Sequence, residues 1–500
     1  MEPLRPVSVM APGFRGLNKQ SSSVDLEAAW ALEATNCILD SQGRIASRKG
    51  WSAVTESSLG SYDIEALGEY LKIDGTTQVI SAANNNLYLG TTTLTSKYST
   101  SVTANRWQMV NFNNYLWCFQ TAHNPLRWDG TTMALVSGTT GATGTPPQAH
   151  CVLGAYGRLW AANVATNKTI VYFSDTLGGN KWTGGASGSL DVKSVWTNGM
   201  DSISALASFN GYLVIFGKKS ILVYSGATNP AAMTLVEHIK GVGCIARDSV
   251  QDIGTDILFL SDTGVRSLAR TIQEKSMPLR DVSKNVMDDI LYQITAQTDL
   301  EDIVSVYHEQ ERFYLLNFPQ SGTTFCFDVS KVLQDGSSPV TKWDSINPKS
   351  FLSSADKTLY LGQTGVIAKY DTYKDNTSSY DMSYLTAWIS FGEPHLQKIL
   401  KRINFTVVGS SATTFTVKFA YDYSTSHFTQ QQTVTGGTTY EYNVGEYNVA
   451  EFTSGIVIDE VTSTGKSTGK MIQTGIFSVV DGAELAIQKF DIYAKRGRMT

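Results

Sequence analysis

The chain has 500 residues, of which 42% are hydrophobic and only 17% are charged. Soluble proteins carry about 25% charged residues, and the shortfall indicates few amphipathic helices, because Lys and Glu collect on helix faces. Gly, Thr, Tyr and Asn fill the gap, and these residues are typical of strands and turns. The hydrophobic fraction excludes a disordered chain. A net charge of −5 without long blocks of one sign does not favour tight nucleic-acid binding.

No run of about 18 or more apolar residues occurs, so the sequence predicts no stable membrane insertion. Met1–Pro6 has no apolar stretch, and we therefore expect no secretory signal. No CxxC, HxH or HxxxH spacing occurs, so we expect neither a metal nor another cofactor. The cysteines stand alone in or beside apolar runs, which predicts buried, reduced thiols in a chain folded in cytoplasm. They are Cys37, Cys118, Cys151, Cys244 and Cys326.

The first 55 residues differ in pattern from the rest. Residues 24–34 are the best helix candidate before residue 280, with Ser23 as a suitable N-cap. Asn36–Leu39, a Ser-Gln-Gly turn and Arg44–Arg48 then predict a strand, a turn and a second strand.

From about residue 56 to 380, short apolar strand cores recur, most of them directly after a polar turn. Their mean spacing is about 45 residues, the length of one four-stranded propeller blade. The cores are Leu87–Leu89, Tyr115–Trp117, Leu159–Trp160, Tyr212–Phe216, Ile257–Leu260, Phe313–Leu316 and Leu359–Leu361. The spacing varies from roughly 28 to 56 residues, which predicts irregular blades. A multi-sheet sandwich is the alternative fold.

Two further patterns complete the fold prediction. Val282, Val286 and Ile290 are spaced as on one helix face, which predicts a helix over 282–291 packed between blades. From residue 381 onward, longer runs alternate apolar and polar residues, as in sandwich strands. We therefore predict an all-β fold with three parts: an N-terminal arm (1–55) that docks with the C-terminal domain, a β-propeller of about six to seven irregular blades (56–380), and a β-sandwich-like platform domain (381–500).

The search for catalytic motifs finds no nucleophile elbow, phosphate loop or HExxH sequence, and we expect no enzyme. Ser174–Trp182 resembles the Asp-box hairpin of sialidase-type propellers, a structural turn that lies away from their active sites. We interpret it as a side chain capping a tight hairpin, with Trp182 packed on the adjacent sheet. Two short basic runs, Lys398–Arg402 and Lys495–Arg498, are interpreted as a solvated edge and a tail.

Three N-terminal phrases carry a family resemblance. They are Ala11–Asn18 (APGFRGLN), Ala34–Cys37 (ATNC) and Gly43–Trp51 (GRIASRKGW). Similar phrases recur in this order in phage virion proteins, although Arg15 stands where a second Gly is usual. Phe209–Gly226 (FNGYLVIFGKKSILVYSG) resembles the propeller portion of tail nozzle proteins, also called tail hub or tail tubular proteins, of short-tailed bacteriophages.

The resemblance implies a structural virion protein made in the host cytoplasm and placed in the phage tail. Nozzle proteins assemble as a ring, typically a hexamer, below the portal and its adaptor ring, and they extend the DNA channel. They help to hold and then release the genome, and tail fibre or tailspike proteins are further expected partners. Genomic DNA would pass through the lumen without sequence-specific binding, and a mildly acidic chain suits such passage because phosphate-binding cations would slow it.

Seven residues of these phrases are candidate structural or docking residues: Gly16, Leu17, Asn18, Asn36, Arg44, Arg48 and Gly50. The glycines suit positive φ or close backbone approach. Arg44 and Arg48 are four residues apart on an extended stretch, which places them on one face. They either dock a carboxylate of the C-terminal domain or of a neighbouring subunit, or they are two ordinary surface arginines.

The rival hypothesis is a glycan-binding or glycan-cleaving propeller, either a receptor-binding protein or a depolymerase. The aromatic residues allow sugar stacking, but many of them fall inside the strand cores, where packing between blades explains them better.

Overall fold

The computed structural model describes residues 5–196, 201–275, 281–410, 413–434, 456–465 and 467–497. Of the described residues, 50% are in strands and 8% in helices, which confirms the all-β prediction. Among the described residues, no helix combines the length and the hydropathy that crossing a membrane requires.

The N-terminal segment forms six short strands. They are β1 (Val7–Met10), β2 (Gly16–Leu17), β3 (Trp30–Thr35), β4 (Cys37–Leu39), β5 (Ile45–Ser47) and β6 (Trp51–Ala53). The strand–turn–strand predicted at 36–48 is confirmed, since β4 and β5 pair antiparallel. The helix predicted over 24–34 is wrong: turns precede β3, whose Ala31 and Ala34 are buried. A segment this short has little helical stability of its own, so pairing with neighbouring strands decides its conformation.

Four antiparallel sheets of four strands follow in chain order. Blade I holds β7 (Ala66–Leu71), β8 (Thr77–Ala83), β9 (Asn86–Leu89) and β10 (Thr95–Tyr98). Blade II holds β11 (Gln108–Phe112), β12 (Tyr115–Gln120), β13 (His123–Trp128) and β14 (Met133–Leu135). Blade III holds β15 (Ala149–Ala155), β16 (Arg158–Val164), β17 (Asn167–Phe173) and β18 (Gly188–Asp191). Blade IV holds β19 (Ile203–Phe209), β20 (Tyr212–Gly217), β21 (Ser220–Ser225) and β22 (Thr234–Lys240).

The next sheet, blade V, has three strands: β23 (Gln251–Asp252), β24 (Ile257–Ser261) and β25 (Gly264–Ser267). Helices α1 (Leu268–Glu274) and α2 (Met287–Ala296) follow. The helix predicted over 282–291 therefore exists, but it begins later, after a 3-10 turn at Lys284–Val286. Val282, Val286 and Ile290 share one hydrophobic core, as their spacing predicted.

A further meander of four strands lies between blade V and the last blade, and we call it the shared meander. It comprises β26 (Val304–His308), β27 (Phe313–Phe318), β28 (Thr323–Asp328) and β29 (Val340–Trp343). Its two faces pack in different cores, one with blade V and one with the last blade. Unlike the blades, it continues into a ten-stranded sheet.

Blade VI closes the propeller. It consists of β30 (Ser350–Ser353), β31 (Leu359–Gly362) and β32 (Ile367–Tyr370), and the N-terminal strand β6 pairs with β32 as the fourth strand. The six small sheets form a six-bladed β-propeller accompanied by two larger sheets. All seven predicted cores lie in strands, but Leu87–Leu89 is in a third strand where the other six are in second strands. The sequence pattern does not single out strand β8, the second strand of blade I. Ile80 is its only fully buried large side chain, so β8 has no compact apolar core.

The described part of the C-terminal region has eight strands. They are β33 (Tyr380–Thr386), β34 (Lys398–Ser410), β35 (Thr414–Tyr421), β36 (Phe428–Thr433), β37 (Ile456–Thr464), β38 (Thr468–Gly469), β39 (Ile472–Val480) and β40 (Leu485–Arg496). One larger sheet has the order β37-β34-β40-β5-β4, with β1 on β40 and β38 on β34. The other runs β26-β27-β28-β29-β2-β3-β33-β39-β35-β36. The apolar faces of the two sheets meet at Phe405 of β34 and Phe415 of β35, whose ring centroids are 6.4 Å apart.

Both larger sheets thus contain strands from the two ends of the chain. Lys398 is wholly buried, and its ammonium donates to the carbonyl oxygens of Glu393 (2.6 Å) and Leu396 (3.1 Å), so the solvated-edge interpretation is wrong at this residue. The second basic run, Lys495–Arg498, ends outside the described residues. All five cysteines are buried and unpaired, in agreement with the sequence prediction.

Candidate functional site at the junction of arm, propeller and C-terminal sheets

Strand β2 joins the propeller side of the ten-stranded sheet to its C-terminal side. Gly16 pairs in parallel with Val340 of β29 on one edge and with Trp30 of β3 on the other. Gly16 has φ +77°, and a Cβ there would lie 2.6 Å from the carbonyl oxygen of Val340. Only glycine fits this approach without strain. Leu17 is 2% exposed and belongs to the main core.

Asn18 holds the chain after β2. Its side-chain oxygen accepts from the backbone N–H groups of Gln20 (3.1 Å) and Ser21 (3.0 Å), which forms a tight turn. Its amide donates to Asn285 Oδ1 at 3.2 Å, and the amide of Asn285 donates to Ser337 Oγ at 2.7 Å. A buried chain of hydrogen bonds therefore ties the arm to the turn before α2 and to the loop before β29.

Asn36 is the corner at which the chain leaves one larger sheet and enters the other. It lies between β3 and β4 with φ +52°, a left-handed conformation that Asn tolerates better than most residues. Its amide donates to Asp344 Oδ1 (2.6 Å) and to the carbonyl of Asp381 (2.8 Å). Its side-chain oxygen accepts from Arg48 Nε at 3.1 Å and from the backbone N–H of Asp344 at 3.2 Å.

Arg48 lies at the next crossing, from the seven-stranded sheet into blade VI, and its side chain is 0% exposed. The two terminal nitrogens donate to Asp375 Oδ1 (2.9 Å) and Oδ2 (2.7 Å), in bidentate geometry. The remaining N–H groups donate to Asn36 Oδ1, to the carbonyl of Lys49 (2.8 Å) and to Ser345 Oγ (2.6 Å). All five donors of the guanidinium are satisfied.

Aromatic rings complete the environment of Arg48. Its guanidinium carbon lies 4.0 Å from the centre of the Tyr380 ring and 5.8 Å from that of Trp343. The Tyr380 hydroxyl donates back to the carbonyl of Arg48. Burial, with Arg48 opposing it, raises the pKa of the Tyr380 hydroxyl well above its usual range, so the hydroxyl remains a donor.

Gly50 allows two crossing segments to run side by side. A Cβ at Gly50 would lie 1.9 Å from the carbonyl oxygen of Lys374, which is an overlap with backbone. The backbone of Trp51 donates to Lys374 O at 2.9 Å and accepts from Asn376 at 2.6 Å. The chain therefore enters blade VI at residues 48–51 beside the segment by which it leaves at 371–379.

Arg44 differs from the other candidates, because its partner is local. Its Nε donates to Asp40 Oδ2 at 2.6 Å within the β4–β5 hairpin. Arg44 and Arg48 therefore have separate carboxylate partners, and the surface-arginine interpretation does not hold for the buried Arg48. Docking of either residue on a neighbouring subunit stays a prediction.

The structure brings six of the seven candidates into contacts between segments that are far apart in the chain. Sequence reasoning missed their partners Asp344, Ser345, Asp375 and Asn285. The contact between Arg48 and Asp375 spans 327 residues, and a lone Asp in a polar loop has no local pattern that marks it as the partner. The contacts around Asn36 and Arg48 are those of a polar joint in which every N–H of the guanidinium has an acceptor.

A second polar joint lies where the inner strands of several blades begin. Arg247, just before blade V, donates to both oxygens of Asp248 (2.8 and 2.7 Å) and to the carbonyl of His150 in blade III (2.6 Å). Arg106, just before blade II, pairs with Asp302, just before the shared meander. Burial, reinforced by Arg247, lowers the pKa of His150 to about 3. These contacts connect blades across one face of the propeller.

The Asp-box-like segment occupies the β17–β18 connection of blade III. Asp175 Oδ1 accepts from the backbone N–H groups of Thr176 (2.9 Å) and Ala186 (3.0 Å). The ring of Trp182 packs against Phe119 of blade II, with 6.1 Å between centroids. The structure confirms the interpretation of a capped turn with Trp182 on the adjacent sheet.

Comparison with known proteins assigns no family to this chain. No protein-family model matches the chain, and no curated protein matches it. A structure described as YCF48 bound to D1 peptide is 12% identical over 65% of this chain and 97% of its own, with a TM-score of 0.36. The Neurospora crassa Pan2 WD40 domain is 10% identical over 65% of this chain and 95% of its own, with a TM-score of 0.37. Both TM-scores are below 0.5, so neither the fold nor the function of this chain is argued from these likenesses.

Proposed function

We propose that this chain is a structural protein of a short phage tail, forming the nozzle or hub ring that extends the DNA channel below the portal and adaptor. The observation that carries the proposal is the joint around Arg48. The residues that resemble the virion phrases are the ones that fasten the N-terminal arm to both the propeller and the C-terminal sheets. A component that holds pressurised DNA needs such a rigid connection between its parts.

The low net charge of the chain is consistent with this role. A mildly acidic chain without a long basic block would let DNA slide, because few phosphate contacts would retain it. Ring assembly needs a heterologous contact, in which one surface of a copy binds a different surface of the next. The C-terminal platform would meet the adaptor, and the propeller would point away from the capsid.

Assembly can be tested with the purified chain alone and with its adaptor. Negative-stain microscopy is expected to show closed rings, typically of six copies, that dock on the adaptor ring. A purified chain that remains monomeric at all concentrations and ignores the adaptor would contradict the proposal.

One observation keeps the glycan hypothesis as a second candidate. Tyr423 and Phe428 are 46% and 48% exposed on the β35–β36 hairpin, so they offer ring faces near the protein surface. Exposed aromatic rings suit sugar stacking. A glycan array and a hydrolysis screen would detect this activity, and clean negatives in both would remove it.

A further inference from the structure

A cleft of about 580 Å³ opens between the β4–β5 hairpin, the shared meander, the segment before β33 and the turn before β40. Its wall is unusually rich in ionisable groups of both signs. The charged residues along it are Asp40, Arg44, Lys49, Glu311, Arg312, Asp328 and Glu484. A cleft of this volume accommodates a side chain or a short peptide segment.

Two of the cations in the wall already have partners. Arg44 Nε is 2.6 Å from Asp40 Oδ2, and Lys49 Nζ is 2.8 Å from Glu311 Oε1. Glu311 Oε2, however, has no hydrogen-bond partner. The wall therefore holds a carboxylate oxygen that receives no hydrogen bond from the cations beside it.

Asp328 is the clearest unsatisfied group. Its side chain is only 6% exposed, and Oδ1 accepts from the backbone N–H of Ser330 at 3.0 Å and from its hydroxyl. Oδ2 has no hydrogen bond, and the nearest cation, Lys331 Nζ, is 3.9 Å away and also lacks a hydrogen-bond partner. A buried carboxylate oxygen without a donor destabilises the folded chain, so the bonds from Ser330 explain Oδ1 but leave Oδ2 unexplained.

We propose that this cleft binds the cationic end of a Lys or Arg side chain from a polypeptide partner, with Asp328 as its principal acceptor. Carboxylates only accept hydrogen bonds, and an ammonium or guanidinium supplies several donors at once. The incoming cation takes the place of Lys331 Nζ beside Oδ2. Glu311 Oε2 accepts a second hydrogen bond, and Arg312 at the rim faces the partner's acidic or carbonyl groups. The inference rests on the cleft and not on the tail assignment.

The chain provides a matched control in Asp335. Asp335 Oδ1 accepts from Ser337 N (3.1 Å) and Ser337 Oγ (2.6 Å), and Lys284 Nζ is 3.9 Å from its other oxygen, so the local motif is the same. Asp335 does not line the cleft. The two aspartates also differ in pKa: burial raises that of Asp328, whereas at Asp335 the bonds from Ser337 outweigh burial and lower it.

The test uses the full chain and fluorescein-labelled peptides Gly-Ser-X-Ser-Gly, in which X is Arg, Lys or Gln, with anisotropy as the readout. The Arg and Lys peptides are expected to bind at least tenfold more tightly than the Gln peptide. Asp328→Asn should remove that preference, and Asp335→Asn should keep it. Equal binding of the three peptides by the unaltered chain, or equal loss in both variants, would overturn the proposal.

The stability of the chain in the absence of peptide is a second measurement. It distinguishes a binding role of Asp328 from a purely structural one. Asp328→Asn is expected to leave the urea-unfolding midpoint unchanged or to raise it, since an unsatisfied charge is removed. Asp335→Asn is expected to lower the midpoint. A marked loss of stability in Asp328→Asn, together with unchanged peptide preference, would show that Asp328 is structural and overturn the proposal.

Discussion

Arg48 and Asp375 form a bidentate ion pair across 327 residues of chain, with donor–acceptor distances of 2.9 and 2.7 Å. The pair lies where the chain enters blade VI and where it leaves for the C-terminal sheets. Because every N–H of Arg48 is satisfied and its side chain is fully buried, neither partner can be removed without leaving the other unpaired in the interior.

The first prediction concerns this pair. Arg48→Ala is expected to lower the free energy of unfolding by about 3–5 kcal/mol, because Asp375 is left buried and uncompensated. Arg44→Ala removes a pair within one hairpin and should cost only about 1 kcal/mol. Urea titrations of both variants measure the difference. Equal losses would show that the Arg48 joint contributes no more than a local ion pair.

The second prediction concerns the close approach at Gly50. Gly50→Ala places a methyl group 1.9 Å from the carbonyl oxygen of Lys374 and should cost about 3 kcal/mol or more, since backbone on both sides must shift. Gly138→Ala is the control, because no atom lies within 4 Å of its added Cβ. Thermal unfolding of the two variants is the measurement. A Gly50→Ala midpoint close to that of Gly138→Ala would contradict the packing of the two crossing segments.

Much of the strand content could be predicted, because compact apolar cores such as Tyr212–Phe216 carry a local signal. The helix predicted at 24–34 failed since pairing of β3 with β2 and β33 overrides a weak helical preference. The sequence also does not predict which strands belong to blades and which to the larger sheets, because β6 closes blade VI from the other end of the chain. Gly16 and Asn36 could be singled out from residue type, whereas Asp375 and Ser345 are partners set only by the fold.

The third prediction concerns the thiols. Burial raises the pKa of Cys151 to about 12 and that of Cys244 to about 11, and all five cysteines are buried. A thiol disulfide-exchange reagent should therefore react with none of them in the folded chain at pH 8 and with all five in denaturant. Fast reaction of even one thiol before unfolding would place that residue at the surface.

The fourth prediction concerns His150. Burial, with Arg247 next in importance, lowers its pKa to about 3 in the folded chain, whereas the unfolded chain takes up the proton near pH 6.5. Stability contributed by the neutral form is therefore lost as the pH falls from about 6.5 toward 3, and about 2 kcal/mol of it is lost between pH 7 and pH 5.

His150→Gln should remove that part of the pH dependence, and urea titrations at pH 7 and pH 5 measure it. Burial also lowers the pKa values of His238 and His308, so a smaller slope of the same sign should remain. If the stability of His150→Gln falls between pH 7 and pH 5 as steeply as that of the unaltered chain, the result contradicts a neutral, buried His150.

The central claim, that this chain is a structural component of a short phage tail, is tested most directly by locating it in particles. Immunogold electron microscopy of purified virions, from a phage whose genome encodes this chain, measures its position. The proposal predicts gold at the tail, directly below the portal vertex, in particles that retain DNA. Virions that lack the chain altogether, while the soluble fraction of the lysate contains it, would contradict the proposal.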